Sequence, residues 1–189
     1  MSQQELLAKV VQTLEQMGIE YMAIGSIVSS MQGEPRATHD IDIVVNLPRS
    51  KAFALAGAFL PPDYYFDPDA VLEAISTKGM ANLIDNRSGD KVDFWLLTEN
   101  AFDLTRFARR HFEELFGMRI AVSSPEVTIL MKLRWSKMSG GSDKQFIDAV
   151  RVYEVQYETL EQEYLHEWTL KLGLVNEMER LRKEAGSVY

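Results

Sequence analysis

The chain reads as an α/β (α+β) protein, a mixed β-sheet flanked by helices and followed by a C-terminal helical region. Three observations predict this. Short apolar segments over residues 19–24, 40–45, 80–85, 91–97 and 118–122 have the length and flanking turns of strands, and helical patterns separate them. Gly, Pro, Asn and Ser punctuate the joins. From residue 124 the apolar spacing is helical to the end, so residues 1–123 are predicted as a sheet-bearing core and 124–189 as helices packed on it.

Each element has a local reason. Ser2 and Glu5 have capping-box spacing, and Leu6, Leu7, Val10, Val11, Leu14 and Met17 recur at helical intervals, giving a helix over 3–17 that Gly18 ends. The first strand leads into a Gly25-Ser26 turn and a short helix through Gln32, which Gly33-Glu34-Pro35 breaks. The second strand carries Asp40 and Asp42. Alanine-rich residues 50–60 predict a helix covering the sheet, stopped by Pro61-Pro62. Tyr64, Tyr65 and Phe66 follow, suited to packing on the sheet or, alternatively, to stacking on a base. A short helix over 71–76 precedes a hairpin whose strands, 80–85 and 91–97, flank Asn86-Arg87-Ser88-Gly89. Residues 100–116 read as a polar helix, with Arg106, Arg109, Arg110 and His111 balanced by Asp103, Glu113 and Glu114 on a solvated face. Ser123-Ser124-Pro125-Glu126 then starts a helix, Gly140-Gly141 separates it from one beginning near Asp143, and two more follow.

The chemistry gathers around the second strand. Strand residues two apart face the same way, so Asp40 and Asp42 set two carboxylates side by side, roughly 6.5 to 7 Å apart at the backbone. They repel unless a cation sits between them, although a strand open to solvent also accommodates them. Mg²⁺ suits such a pair, since it takes oxygen ligands, keeps several waters and is held by one or two carboxylates together with substrate phosphates. Gly25-Ser26 is placed to seat that phosphate: glycine lets the backbone approach closely, and the amides opening the next helix point at an anion. Asp93 lies in the apolar strand KVDFWLL, where an unpaired buried carboxylate is costly. A shared metal accounts for it, as would a solvated strand face or an ion pair with Lys91 or Arg87. Arg36 is a partner for a phosphate or for Asp40, Thr38 for a nucleotide or for its own loop, and His39 lacks metal-imidazole spacing.

Composition narrows the classes. An apolar fraction of 46% and a charged fraction of 25% are those of a globular protein. There is neither a long apolar run nor a leader pattern, so no membrane association and a cytoplasmic location are expected. The absence of cysteine excludes disulfides and thiolate metal sites. A formal charge of −8 argues against a broad nucleic-acid surface while leaving room for a local basic cleft.

The Gly-Ser pair, the D-x-D strand about a dozen residues on and the third strand aspartate together resemble the signature of the nucleotidyltransferase superfamily, the polymerase-beta-like fold. That resemblance implies an enzyme in which Asp40, Asp42 and Asp93 hold two Mg²⁺ ions, with Mn²⁺ able to replace them, and move NMP from an NTP to a hydroxyl acceptor with release of pyrophosphate. Asp93 would also accept the acceptor's proton. Gly25, Ser26, Arg36, Thr38 and Lys132 would bind the nucleotide. The segment SPEVTILMKLRWSKMSGGSDKQFIDAV resembles the paired helices of bacterial AbiEii-type toxins and DUF6036-type proteins. There Lys132 would face the triphosphate or base and Asp148 would orient it, the alternative being a surface lysine on an amphipathic helix. The loop SKMSGGSDKQ is longer and more glycine-rich than the toxin pattern. Acceptors in the superfamily include tRNA ends, protein side chains and small molecules such as aminoglycosides. The competing expectation is a non-catalytic nucleotide- or protein-binding module, the toxin-like half of a pair with an antitoxin partner.

Overall fold

The computed structural model describes residues 2–35 and 40–185. They divide into two compact units, the described parts of residues 1–27 with 38–122 and of residues 28–37 with 123–189.

The first unit is built on a mixed sheet, seven-stranded among the described residues, in the order β3-β4-β5-β2-β1-β7-β6. The strands are β1 (Glu20–Ile24), β2 (Asp40–Asn46), β3 (Tyr64–Tyr65), β4 (Met80–Asp85), β5 (Lys91–Leu96), β6 (His111–Leu115) and β7 (Met118–Val122). β2 runs antiparallel to β1 and parallel to β5, and β1 runs parallel to β7. The two sheet faces differ in chemistry. Ile41, Ile43, Val45, Val92, Phe94, Leu96, Ala81 and Leu83 alternate onto one face and are all buried, which drives the sheet against its helices. Helix α1 (Gln3–Gln16) buries Leu6, Leu7, Val10, Val11 and Leu14, and its expected capping box is present, with Ser2 and Glu5 exchanging both bonds. The opposite face carries Met22 and Val44, covered by Phe107 of α5 (Ala101–Ala108), and then gives way to the carboxylates. Tyr64 and Phe66 are buried against Phe59, and Phe66 lies 5.4 Å from Phe94, so packing claims two members of the aromatic cluster while Tyr65 is exposed.

The polar helix expected over 100–116 is corrected by the structure. α5 stops at Ala108, and residues 111–115 form edge strand β6, hairpinned to β7. Phe116 and Gly117 both take positive φ, 53° and 73°, the geometry of a two-residue turn whose twist matches antiparallel strands. No residue of β6 is fully buried, so it lacked the apolar alternation that marks a strand. Arg110 anchors the entry, its guanidinium over the Phe107 ring and 2.6 Å from Glu20 Oε1.

The second unit is helical. α6 (Pro125–Met138) and α7 (Asp143–Gln156) pack together and are joined by α8 (Gln162–Lys171) and α9 (Val175–Ala185). Ser124 caps α6 and also donates to the buried Glu126 at 2.7 Å, whose other oxygen accepts the Glu161 amide at 2.9 Å. The end of helix α2 (Gly25–Gln32) belongs to this unit: Gln32 Nε2 donates to the Ser123 carbonyl at 2.6 Å, and Gln156 Nε2 donates to the Gln32 carbonyl at 2.9 Å. Among the described residues no helix is long and apolar enough to cross a membrane.

Candidate active site

The site stands on the β1, β2 and β5 strands at the end of the sheet where β1 turns into α2. Parallel pairing of β2 with β5 sets Asp42 opposite Asp93 and Asp40 opposite Lys91. Because neighbouring strands lie about 4.8 Å apart, Asp42 and Asp93 are adjacent carboxylate positions on one face. β1 adds Ile24 opposite Asp42. The chain leaves that strand at Gly25 with φ +73°, a value only glycine adopts without strain, and begins α2 there. The amides of the first turn of α2 are therefore presented beside Asp42.

Each carboxylate is held differently. Asp42 Oδ1 accepts from Trp95 Nε1 at 3.1 Å, and Trp95 shares the face of Asp93 two residues on. Asp93 is 7% exposed; its Oδ1 accepts from Asn82 Nδ2 at 2.5 Å and its Oδ2 lies 3.0 Å from Lys91 Nζ. Asp40 is exposed, and its Oδ1 is 3.9 Å from the same Lys91 Nζ. The hydrogen bond to Asp93 raises the Lys91 pKa above lysine's ordinary value against the opposing effect of burial, and Asp93, Asp40 and Asp42 add charge attraction. Of the partners the sequence offered for Asp93, Lys91 is thus the one engaged. Arg87 pairs with Asp85 and Asp63 instead.

Among the described residues no group of three or more His, Asp or Glu side chains is arranged to hold a metal ion as it stands. The chemistry of the carboxylates would suit a hard cation: Asp40, Asp42 and Asp93 offer only carboxylate oxygens, Asp42 and Asp93 are strand neighbours, and the Lys91 ammonium lies against Asp93 and Asp40.

Gly25, Ser26, Asp40, Asp42 and Asp93 thus belong to one region of the first unit. Lys132 lies in the second unit, where it is buried with its Nζ 2.7 Å from Asp148 Oδ2 across α6 and α7. It is not the surface lysine that the alternative supposed. Arg36, Thr38 and His39 lie outside the described residues. Asn82 and Trp95 escaped the sequence reading. Trp95 was within reach of it, since strand period two puts Lys91, Asp93 and Trp95 on one face; Asn82 needed the hairpin register that pairs it with Asp93.

No protein-family model matches the chain, and no curated protein matches it closely enough to be a relative. Solved structures are similar to it in fold. An antigenic nucleotidyltransferase-like protein from Paracoccidioides brasiliensis aligns over 97% of this chain and 88% of its own, at 16% identity and a TM-score of 0.61. The lincosamide antibiotic adenylyltransferase LnuA, solved with lincomycin, aligns over 82% of this chain and 98% of its own, at 13% identity and a TM-score of 0.56. ANT(2″)-Ia, solved with adenylyl-2″-tobramycin, aligns over 93% and 97%, at 12% identity and a TM-score of 0.55. With a mixed sheet of this order and these structural neighbours, the chain has the nucleotidyltransferase fold.

Proposed function

We propose that the protein is a divalent-metal-dependent nucleotidyltransferase that moves NMP from an NTP to a hydroxyl acceptor, releasing pyrophosphate. The observation that carries this reading is the in-register pair Asp42 and Asp93 on adjacent parallel strands, with a positive-φ glycine and a helix N-terminus beside them. Asp40, Asp42 and Asp93 would hold Mg²⁺, which when bound neutralises the triphosphate and lowers the pKa of an attacking hydroxyl. The residues themselves supply position. Gly25 and Ser26 offer backbone amides to phosphate oxygens, and the helix dipole favours that anion. Trp95 fixes the Asp42 carboxylate and Asn82 fixes Oδ1 of Asp93, while Oδ2, which Lys91 Nζ meets at 3.0 Å, would take the acceptor's proton once that ammonium moves aside. Arg36, Thr38 and Lys132 are assigned to the nucleotide by resemblance, Lys132 as an ammonium already oriented by Asp148.

The acceptor class follows from chemistry in outline. A net charge of −8 favours a small or cationic hydroxyl compound over a tRNA end or a protein side chain, and the LnuA and ANT(2″)-Ia structures are those with lincomycin and with adenylyl-2″-tobramycin. Calorimetric titration of ATP, GTP, CTP and UTP with Mg²⁺, on the wild type and on Asp40→Asn/Asp42→Asn, tests the reading. Metal-dependent binding of a nucleotide that the double variant loses supports it. A folded wild type that binds none of the four, unchanged by mutation, sinks it in favour of an interaction module with a protein partner such as an antitoxin.

A further inference from the structure

The carboxylates of this site already have a cation, and the chain itself provides it. Lys91 enters β5 opposite Asp40 in the parallel register, and its Nζ reaches Asp93 Oδ2 at 3.0 Å and Asp40 Oδ1 at 3.9 Å. The other Asp93 oxygen accepts the Asn82 amide, so both oxygens of this buried carboxylate are engaged. An ammonium and a divalent ion drawn to Asp93 Oδ2 compete for one oxygen, and their charges repel at the distance that separates them there and beside Asp40 Oδ1. Each therefore weakens the binding of the other. The lysine side chain is 35% exposed and flexible, which lets it swing aside without disturbing the strand that carries it.

We propose that Lys91 is a built-in counter-ion that holds Asp40 and Asp93 in place when no metal is bound and opposes the entry of a divalent ion until it is displaced. The lysine sets a threshold for metal loading: the site takes the ion poorly by itself and well when a nucleotide brings phosphate charge that both the ion and the displaced ammonium can meet. This rests on the nucleotidyl-transfer reading of the same three carboxylates. Lys91 acts here through Asp40 and Asp93, as a positioning residue.

The test is direct Mn²⁺ binding to the full chain without nucleotide, read as loss of the free-ion electron paramagnetic resonance signal. Lys91→Gln, which keeps a donor for Asp93 and removes the charge, is expected to bind Mn²⁺ about tenfold tighter than the wild type, and the difference is expected to shrink when nucleotide is added. Lys91→Arg, which keeps the charge, is expected to stay at or below wild-type affinity. Thermal melting supplies a second reading: without metal Lys91→Gln melts below the wild type, and Mn²⁺ raises its melting temperature by more. Equal Mn²⁺ affinity in the wild type and Lys91→Gln, with binding abolished by Asp42→Asn, overturns the role of Lys91 and leaves the metal site intact. No Mn²⁺ binding by either protein, with or without nucleotide, overturns both together.

Discussion

A methyl group placed on Gly25 would meet Asp42 Oδ2 at 2.2 Å. The glycine where β1 ends and the carboxylate on β2 are thus fitted to one another. The φ of +73° at Gly25 independently disfavours any other residue. Gly25→Ala is expected to cost about 1 kcal/mol or more of stability from the backbone alone. Because Asp42 must also move, nucleotide affinity is expected to fall by at least about tenfold, equivalent to 1.4 kcal/mol. Urea melts and metal-dependent nucleotide titration check the two effects separately. A variant that folds and binds nucleotide as well as the wild type would refute the assignment of Gly25 to the phosphate.

Trp95 is the link between the apolar part of the sheet face and its acidic end. Its ring packs with the Met22, Val44 and Phe107 cluster while its Nε1 donates to Asp42 at 3.1 Å. Trp95→Phe keeps most of the packing and deletes the donor. Stability is expected to fall by no more than about 2 kcal/mol, since hydrogen bonds to charged groups contribute in that range and this one is only partly buried. Metal-dependent nucleotide affinity should fall with it. Metal and nucleotide are further expected to change the emission of Trp95, one of three tryptophans, and that change should vanish in Trp95→Phe.

In the second unit the Lys132–Asp148 pair separates stability from binding. Both side chains are buried, so Lys132→Met alone removes the ammonium that faces a buried carboxylate and is expected to destabilise by about 3 to 5 kcal/mol. Replacing both, Lys132→Met with Asp148→Leu, is expected to recover most of that loss. The folded double variant then reports on the nucleotide. Reduced affinity supports Lys132 as a nucleotide contact, and unchanged affinity assigns the pair to holding α6 on α7.

Tyr21 makes the stability of the first unit depend on alkaline pH. Burial first, then the hydrogen bond it donates to Glu15 at 3.0 Å and the charge of Glu15, push its phenol up to about 12, against a lowering by the Ala121 amide. The folded state therefore keeps its proton where the unfolded chain has lost it. The stabilisation is complete below the ordinary value of 10.0 and is expected to be lost progressively as pH rises from there to about 12. Urea melts stepped through that window should show a steeper decline for the wild type than for Tyr21→Phe. Parallel slopes would contradict the shift.

Much of the candidate site was legible because its signals are local. A carboxylate in the apolar run KVDFWLL stood out at Asp93, and the Gly-Ser pair stood out at the end of an apolar strand. Strand β6 was not legible: its residues HFEEL sit at an exposed edge, and the charges that read as a solvated helix face are solvated on a strand. The turn that creates it, Phe116-Gly117, depends on Phe116 adopting a φ of 53°, which nothing in a phenylalanine announces.

What the sequence determined by itself are properties of single segments. Period two puts Asp40 with Asp42, and Lys91 with Asp93 and Trp95, whatever the strands pair with. Only the tertiary structure decided which segments meet and in what register. It set Asp42 against Asp93, placed the Lys91 ammonium between two carboxylates far apart in the chain, and buried Lys132 on Asp148. The physical reason is that burial of apolar faces distant in the chain selects the partners. For the strands it acts through Ile41, Ile43, Val92 and Phe94, and a slip of one residue would turn the strand charges Asp40, Asp42, Lys91 and Asp93 to the other side.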